Sequence, residues 1–546
     1  MHKFPILALV ALACSAIAVA PAEARKVGAG KGNQPNIVVI MTDDQAAADL
    51  VNMPNVKKLL ADRGTSFSDA VDSFPLCCPA RATFITGQYA HNHGVVGNFY
   101  PHGWYGMKDR GNILPTWLQK SGYRTGMVGK WLNGYGALTG KGEKPKGFDI
   151  WRGLLDVSAY DYFNFVMSID GKGEKTWGDS VFAHKLVQFA NIQVVDKPEP
   201  VVLAVIKKLQ EVFGPAPYTY FGSQNTKDYT VDVTGNVFTD LLDKEKSQTK
   251  PFFMWWSPAA AHREDVATSP ALLGRKGVDP RPAPRYEAKS KSYTLPRPPN
   301  FNQSDASFAK LPANMTSNLP TLDDKAIAQL QLDYEGRTGS LLAVDDHVAK
   351  IVKKLKDTGQ YDNTTIIFTS DNGWMQGEHR VPGDKFLPYE ESLRVPFIIA
   401  GPGVPKGRKI KGQVTNVDFA PTILDLANAK PGRAMDGVSL LATANNPKKR
   451  PDRAISIEAP EPLFTSPSMP TNKWDQAYKG VRTDEWKYVV YKVSGGEELY
   501  NLKADPYEIN NLAADPAYAA IKAKMIAKLA KVNACAGAAC SAVPAG

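Results

Sequence analysis

After Asn36, the run Ile37-Val38-Val39-Ile40-Met41 is apolar at every position and stops abruptly at Thr42-Asp43-Asp44. A strand with apolar side chains on both faces must be covered on both faces, so it belongs in a sheet sandwiched between helical layers. That points to an α/β fold with a largely parallel sheet, and the chain supplies the remaining pieces. Helical spacing covers 53–64 with a glycine stop, 115–122 between a proline start and a glycine stop, and 332–358. Strand character covers 123–128, 251–257, 364–370 and 394–400. Four segments carrying polar or charged residues lie just past strand ends, where open α/β sheets place their sites.

At 546 residues and 43% hydrophobic the chain can bury a large core, and its length suggests more than one domain. The texture changes after about residue 445: 480–483, 486–491 and 498–502 read as short antiparallel strands, and 516–532 as an amphipathic helix. The N-terminus has a charged start, an apolar stretch from Pro5 to Ala20, and Ala22-Glu23-Ala24. This is the pattern of a secretory signal peptide over 1–24; a membrane span needs about 20 apolar residues. The expected location is periplasmic or secreted. Acylation at Cys14 is the alternative, against which stands an atypical residue three positions before it. No transmembrane segment is read. Cys535 and Cys540 are expected to pair in an oxidising compartment. The formal charge of +10 suits an anionic partner, and charge alone serves nucleic acid or a membrane surface equally well.

The chemistry starts at Cys77-Cys78-Pro79-Ala80-Arg81, followed by Ala82-Thr83-Phe84-Ile85-Thr86-Gly87. Adjacent cysteines bond each other only with strain, and no Cys/His set at zinc spacing accompanies them. The run resembles the signature of the type I sulfatases, and only Cys77 has the right spacing to Pro79 and Arg81. The resemblance covers about 36–513, apart from 171–250 and 264–320, which match nothing recognisable and read as insertions or cleft loops. It implies an alkaline-phosphatase-like large mixed sheet flanked by helices. A catalytic domain would span 25–445 and a small antiparallel sheet-plus-helix subdomain 446–546, including the turn Asp505-Pro506-Tyr507-Glu508.

In that family the cysteine is oxidised by a formylglycine-generating enzyme to Cα-formylglycine. The hydrated aldehyde attacks sulfur with one hydroxyl, and the other then expels sulfate, splitting one hard step into two easier ones. The resemblance assigns metal ligation to Asp43, Asp44, Asp371, Asn372 and residue 77. These are hard oxygen donors that favour Ca²⁺ over Mg²⁺. Gly129-Lys130-Trp131 resembles the segment whose lysine touches nucleophile and sulfate. Lys385, within 383–396, resembles the lysine on the leaving-group side of the sulfate. Arg81 would orient the formylglycine, and Asp371 would take the proton of the attacking hydroxyl. His262 matches the histidine that protonates the departing alcohol. His91 and His93 are expected to be structural.

Two positions depart from the family pattern: Leu132, where many members have histidine, and Ala261, where proline usually precedes the histidine. Leu132-Asn133-Gly134-Tyr135-Gly136 looks like the version in glucosamine-6-sulfatases and their extracellular relatives. The implied substrate is a sulfated sugar, 6-O-sulfated N-acetylglucosamine above all, with aryl sulfates as model substrates and no nucleic-acid partner. A phosphonate or phosphate ester hydrolase of the same superfamily and a non-catalytic glycan-binding homologue are the alternatives.

Overall fold

A computed structural model describes residues 34–98, 102–136, 142–156, 158–163, 165–177, 226–264, 280–461 and 477–546. The expected signal peptide and Cys14 lie outside the described residues. The strands, in chain order, begin with β1 (Asn36–Thr42), β2 (Thr65–Phe67), β3 (Ala70–Val71), β4 (Arg124–Lys130), β5 (Ile150–Leu154) and β6 (Phe165–Ile169). There follow β7 (Gly173–Trp177), β8 (Phe252–Ser257), β9 (Thr364–Ser370), β10 (Arg394–Val395), β11 (Phe397–Ala400), β12 (Arg408–Ile410) and β13 (Val414–Thr415). The last four are β14 (Ile455–Ala459), β15 (Tyr478–Arg482), β16 (Trp486–Tyr491) and β17 (Glu497–Asn501).

Ten strands form one sheet in the order β12-β2-β11-β9-β1-β8-β4-β5-β6-β7. Its centre, β9-β1-β8-β4-β5, is parallel. Antiparallel pairings of β11 with β9 and of β6 with β5 make the whole sheet mixed. The doubly apolar run behaves as its sequence requires: Ile37, Val39 and Met41 enter one core, Val38 and Ile40 the other. β8 divides likewise, with Phe253 and Trp255 on one face and Phe252, Met254 and Trp256 on the other. The helix Cys77–Thr86, buried at every residue, covers the first face. The helices Thr230–Glu245 and Asp324–Asp357 cover the second.

Two expected elements change shape. The run 394–400 is two strands in two different sheets, broken at Pro396, which has no N–H to offer a ladder. The long helix starts at Asp324, eight residues before the apolar spacing begins, because Asp323 caps it by accepting from the Ala326 N–H at 2.7 Å. The glycine stop at 64 also has a different cause than chain reversal: a Cβ there would lie 2.2 Å from the Ile399 carbonyl oxygen of β11.

The strands β14 to β17 form a separate antiparallel sheet in sequence order, backed by the helix Ala519–Ala534. β14 was not legible in the sequence. Cys535 and Cys540 are disulfide-bonded. The segment 305–322 packs Phe308, Leu311, Met315 and Leu319 between the 375–389 loop and Tyr500 and Leu502 of the small sheet. No helix among the described residues is long and apolar enough to cross a membrane.

Candidate active site

β9, β1, β8 and β4 are neighbours running in one direction, so their C-terminal ends deliver side chains to one edge. β1 delivers Asp43 and Asp44, β9 delivers Asp371 and Asn372, β8 leads to His262, and β4 ends on Lys130 itself rather than before it. Cys77 is the first residue of its helix, whose other end is closed by Gly87 at φ 67°. Lys385 comes from a loop tied to the segment before Cys77, through the Phe386 N–H donating to Pro75 O at 3.0 Å.

These residues meet in a tight, almost fully buried lattice. Lys130 Nζ donates to Asp43 Oδ2 at 2.5 Å. Lys385 Nζ donates to Asp44 Oδ1 and, at 2.9 Å, to Cys77 Sγ. Cys77 Sγ is also 3.5 Å from Asp43 Oδ1. Arg81 donates to Asp371 Oδ2 at 2.8 Å, Lys130 O at 2.8 Å and Ser257 Oγ at 2.7 Å, which fixes the helix turn bearing Cys77. Asp371 Oδ1 accepts the backbone N–H groups of Asp44 and Asn372 at 3.1 and 2.9 Å. All the site residues named from the sequence thus fall within one constellation.

The charges are mutually compensated. Burial pushes the Asp43 carboxyl up, but Lys130, with His262 and Arg81, overrides it and holds the group at about 2. Burial opposes Asp44 in the same way, and Lys385 and His262 bring it below the ordinary carboxylate range. Lys130 and Lys385 are raised by Asp43 and Asp44 against the effect of burial. Burial and the adjacent Asp43 push the Cys77 thiol up, so the unmodified cysteine is a neutral thiol and a poor nucleophile.

Some buried atoms are left over. Asp44 Oδ2 and Asn372 Oδ1 have no hydrogen-bond partner, although both are hard oxygen donors facing a dense carboxylate set. Asp43, Asp44, Cys77 and His262 bring ligand atoms within 4.8 Å of one another. Orphaned hard oxygens beside paired carboxylates are what a divalent cation satisfies, so the residues present fit such an ion.

His262 is held from several sides. The Ala261 N–H donates to Asp43 O at 2.6 Å, and Asp43 N–H returns the bond to Ala260 O at 2.8 Å. A proline at 261 would forgo the first of these, which gives the alanine a local role. His262 Nδ1 lies 2.6 Å from Arg263 O and Nε2 lies 3.5 Å from Asp44 Oδ2. Burial lowers the imidazole's affinity for its proton, with Asp44 opposing. His91 bonds Glu458 of β14 and His93 bonds Thr83 at 3.1 Å, so both work as structural ties.

Three further residues at this edge were not named from the sequence. Arg337, buried in the long helix, donates to Asp44 O at 2.5 Å, Asp49 Oδ2 at 3.1 Å and Ala261 O at 3.2 Å. It fixes the backbone at Asp44, whose φ is 60°. Its sequence signal is Gly336-Arg337-Thr338-Gly339-Ser340, an arginine among small residues that a packed helix face would carry. Trp374 lies under the cations of Arg263, Arg337 and Lys385 at 5.2 to 5.8 Å. Tyr160 lies against Lys130 and His262. Neither aromatic stands in a pattern that distinguishes it from a core residue.

Comparison with known proteins gives a consistent result. The sulfatase family model matches residues 35–429, and the model for the C-terminal part of N-sulphoglucosamine sulphohydrolase matches 377–535. N-acetylglucosamine-6-sulfatase of Capra hircus is 30% identical over 550 residues, covering 94% of this chain and 86% of the relative. A solved structure of a protein in complex with its substrate D-glucosamine-2-N,6-O-disulfate superposes with TM-score 0.65 at 22% identity, covering 91% of this chain and 97% of the other. The phosphonate monoester hydrolase of Agrobacterium radiobacter superposes with TM-score 0.63 at 20% identity, covering 92% and 95%. The two structures support the fold.

Proposed function

Because the chain belongs to the sulfatase family and is a sulfuric ester hydrolase, we propose that it removes 6-O-sulfate from N-acetylglucosamine-type sugars. Residue 77, matured to formylglycine, would be its nucleophile. The observation that carries this reading is the placement of Cys77 Sγ between Lys385 Nζ at 2.9 Å and Asp43 Oδ1 at 3.5 Å, at the edge where four strand ends converge. Formylglycine supplies a geminal-diol nucleophile, and calcium held by Asp43, Asp44, Asp371 and Asn372 supplies positive charge beside it. The unpaired oxygens of Asp44 and Asn372 support a hard divalent ion there.

The chain's own groups do the rest. Three carboxylates, Asp43, Asp44 and Asp371, face three permanent cations, Arg81, Lys130 and Lys385. The protein lattice is therefore close to neutral, and a divalent ion leaves it positive, as an anionic ester requires. Lys385 touches residue 77 and Lys130 reaches it through Asp43, so both cations stand near where sulfuryl oxygens gather negative charge in the transition state. Arg81 fixes the nucleophile's orientation through its helix turn. Asp371 is the acceptor for the nucleophile's proton. His262, with its Nδ1–H committed to a backbone carbonyl, presents Nε2, which hands a proton to the alcohol when the ring enters the reaction as imidazolium.

The glucosamine preference rests on the goat relative's name and on the Leu132-Asn133 pattern. An exported location is supported by the N-terminal run, by the Cys535–Cys540 disulfide and by relatives named as extracellular sulfatases. The test is a panel of sulfated mono- and oligosaccharides, with peptide mass spectrometry at residue 77 and elemental analysis of the active enzyme. Turnover of 6-O-sulfated N-acetylglucosamine, an aldehyde mass and bound calcium are expected. The fold shared with phosphonate monoester hydrolases favours one second reading, and faster turnover of phosphonate monoesters than of any sulfate would establish it.

A further inference from the structure

We propose that Tyr160, with Asn133, is a positioning residue that sets the Lys130 ammonium and the His262 imidazole in fixed relation to each other. The proposal rests on the roles given above to those two groups. Lys130 ends β4 and His262 follows β8, so they come from neighbouring strands and bond different partners, Asp43 and Arg263 O. Tyr160 spans that gap. Lys130 Nζ lies 4.3 Å from its ring centroid, within cation–π range. The His262 ring lies 4.2 Å away, centroid to centroid, tilted by 34°. The Tyr160 hydroxyl accepts from Asn133 Nδ2 at 2.5 Å.

The prop is itself braced. Tyr160 is 3% exposed and sits in the one-turn helix Ser158–Tyr160 between β5 and β6. Ser158 Oγ donates to Leu155 O at 3.0 Å and accepts from Val166 N–H at 3.1 Å. Thr230 Oγ1 donates to Asp161 O at 2.6 Å. Tyr162 then grips the histidine loop: its hydroxyl donates to His262 O at 2.9 Å and its N–H to Glu264 Oε1 at 3.0 Å. The strand end that carries Lys130 and the loop that carries His262 are therefore joined through one aromatic ring and its flanks. Leu132 is buried in the apolar core beneath and contributes no polar contact, so the polar role near Lys130 falls to Asn133 and Tyr160.

The test is kcat and KM for Y160A, Y160F, N133A, Y160F/N133A, H262A and Y160A/H262A on a 6-O-sulfated sugar and on 4-nitrophenyl sulfate. A positioned general acid contributes on the order of 10²-fold or more, so Y160A should cost roughly 10- to 100-fold in kcat on the sugar sulfate with little change in KM. It should cost less on the aryl sulfate, whose leaving group needs little proton help. In the H262A background the Y160A loss on the sugar sulfate should shrink to the smaller loss seen on the aryl sulfate, because the ring then has no acid to aim and only Lys130 left to seat. Y160F and N133A should show equal, smaller losses that do not multiply when combined, since both remove the same bond. Multiplicative losses for Y160A and H262A, or a change confined to KM, overturn the proposal. If Y160A does not fold, the Y160F and N133A pair carries the same decision: coupled losses support it and independent ones overturn it. H262A losing equally on both substrates would instead overturn the underlying assignment of His262, and that result is visible before any Tyr160 variant is made.

Discussion

Two buried charge clusters meet at the short segment from Lys385 to Glu390, and they are built to opposite ends. At the sheet edge, Asp44 Oδ2, Asn372 Oδ1 and one Arg81 terminal nitrogen lack hydrogen-bond partners, although each is buried. Under the small C-terminal sheet, the charged atoms of Arg482, Glu390 and Glu498 are all engaged. Arg482 donates twice to Glu390, at 2.9 and 2.7 Å, and also to Asp69 at 2.8 Å and to Gln413 at 3.0 Å. Lys487 donates to Pro388 O at 2.6 Å and pairs with Glu508, while Tyr389, Tyr491 and Tyr500 all donate to Glu498. The second cluster anchors the segment following Lys385; the first keeps donors in reserve for a ligand. Buried charges are costly in both places. Only where every partner is present should removing one damage the fold first.

The sharpest way to break the comparison is at residue 77. Cys77→Ser should lower kcat by roughly 10³-fold or more, since a serine sulfate has no second hydroxyl with which to expel its sulfate. Its melting temperature should stay near that of the parent. Activity on 4-nitrophenyl sulfate and a thermal melt read both quantities, and a comparable loss of stability would place Cys77 in the structural class.

Arg482→Met tests the opposite pole. It strips Glu390 and Asp69 of their main cation, and breaking a buried pair costs about 3–5 kcal/mol. Urea unfolding should show that loss, with activity falling only as the folded fraction falls. A normally stable variant with no activity would mean that the C-terminal cluster shapes the site directly.

How much of this division was legible in the sequence follows from range. Asp43, Asp44, Lys130, His262 and Asp371 stand at or after runs whose apolar pattern announces a strand, so local sequence places them on one sheet edge. Cys77 and Lys385 needed a family resemblance, because nothing local says that their loops converge. Tyr160, Arg337 and Trp374 act through packing partners up to about three hundred residues away. No periodicity records that. β14 was missed for a related reason. Ile455 to Ala459 is five residues long and is defined by its pairing with β15, across a stretch that separates the two in sequence.

A pH effect sets Glu378, a buried carboxyl of the 375–389 loop, against Glu390 of the C-terminal cluster. Burial, with the nearby Glu391, raises the Glu378 carboxyl to about 8. A carboxyl raised on folding stabilises while protonated, so its contribution is complete below the ordinary carboxylate range and fades as pH rises toward 8. Glu390 runs the other way. Burial would raise it, but Arg482 and Lys487 hold it below the ordinary range, so its contribution is lost only in acid. The parent should therefore lose about 3–4 kcal/mol between about pH 5 and about pH 8 through Glu378, and Glu378→Gln should flatten that slope. Urea midpoints at three pH values decide it; an unchanged slope removes Glu378 from the account.

The smallest expected effect lies beside the largest. Cys78 is as buried as Cys77, and burial likewise pushes its thiol up, yet the two face different surroundings. Cys77 points at Lys385 and Asp43, whereas Cys78 belongs to the apolar core and lies 3.9 Å from Asn133 O. Its backbone N–H, which donates to Asn98 at 2.9 Å, survives any side-chain change. Cys78→Ala removes one sulfur atom from a packed interior, for which about 1 kcal/mol of stability is the expected cost. The kcat should stay within about twofold of the parent, because no charged group of the site loses a contact. Stability and kcat measured on one preparation place the residue. If Cys78→Ala instead lost activity on the scale of Cys77→Ser while melting normally, the nucleophile would have been assigned to the wrong one of two neighbouring thiols.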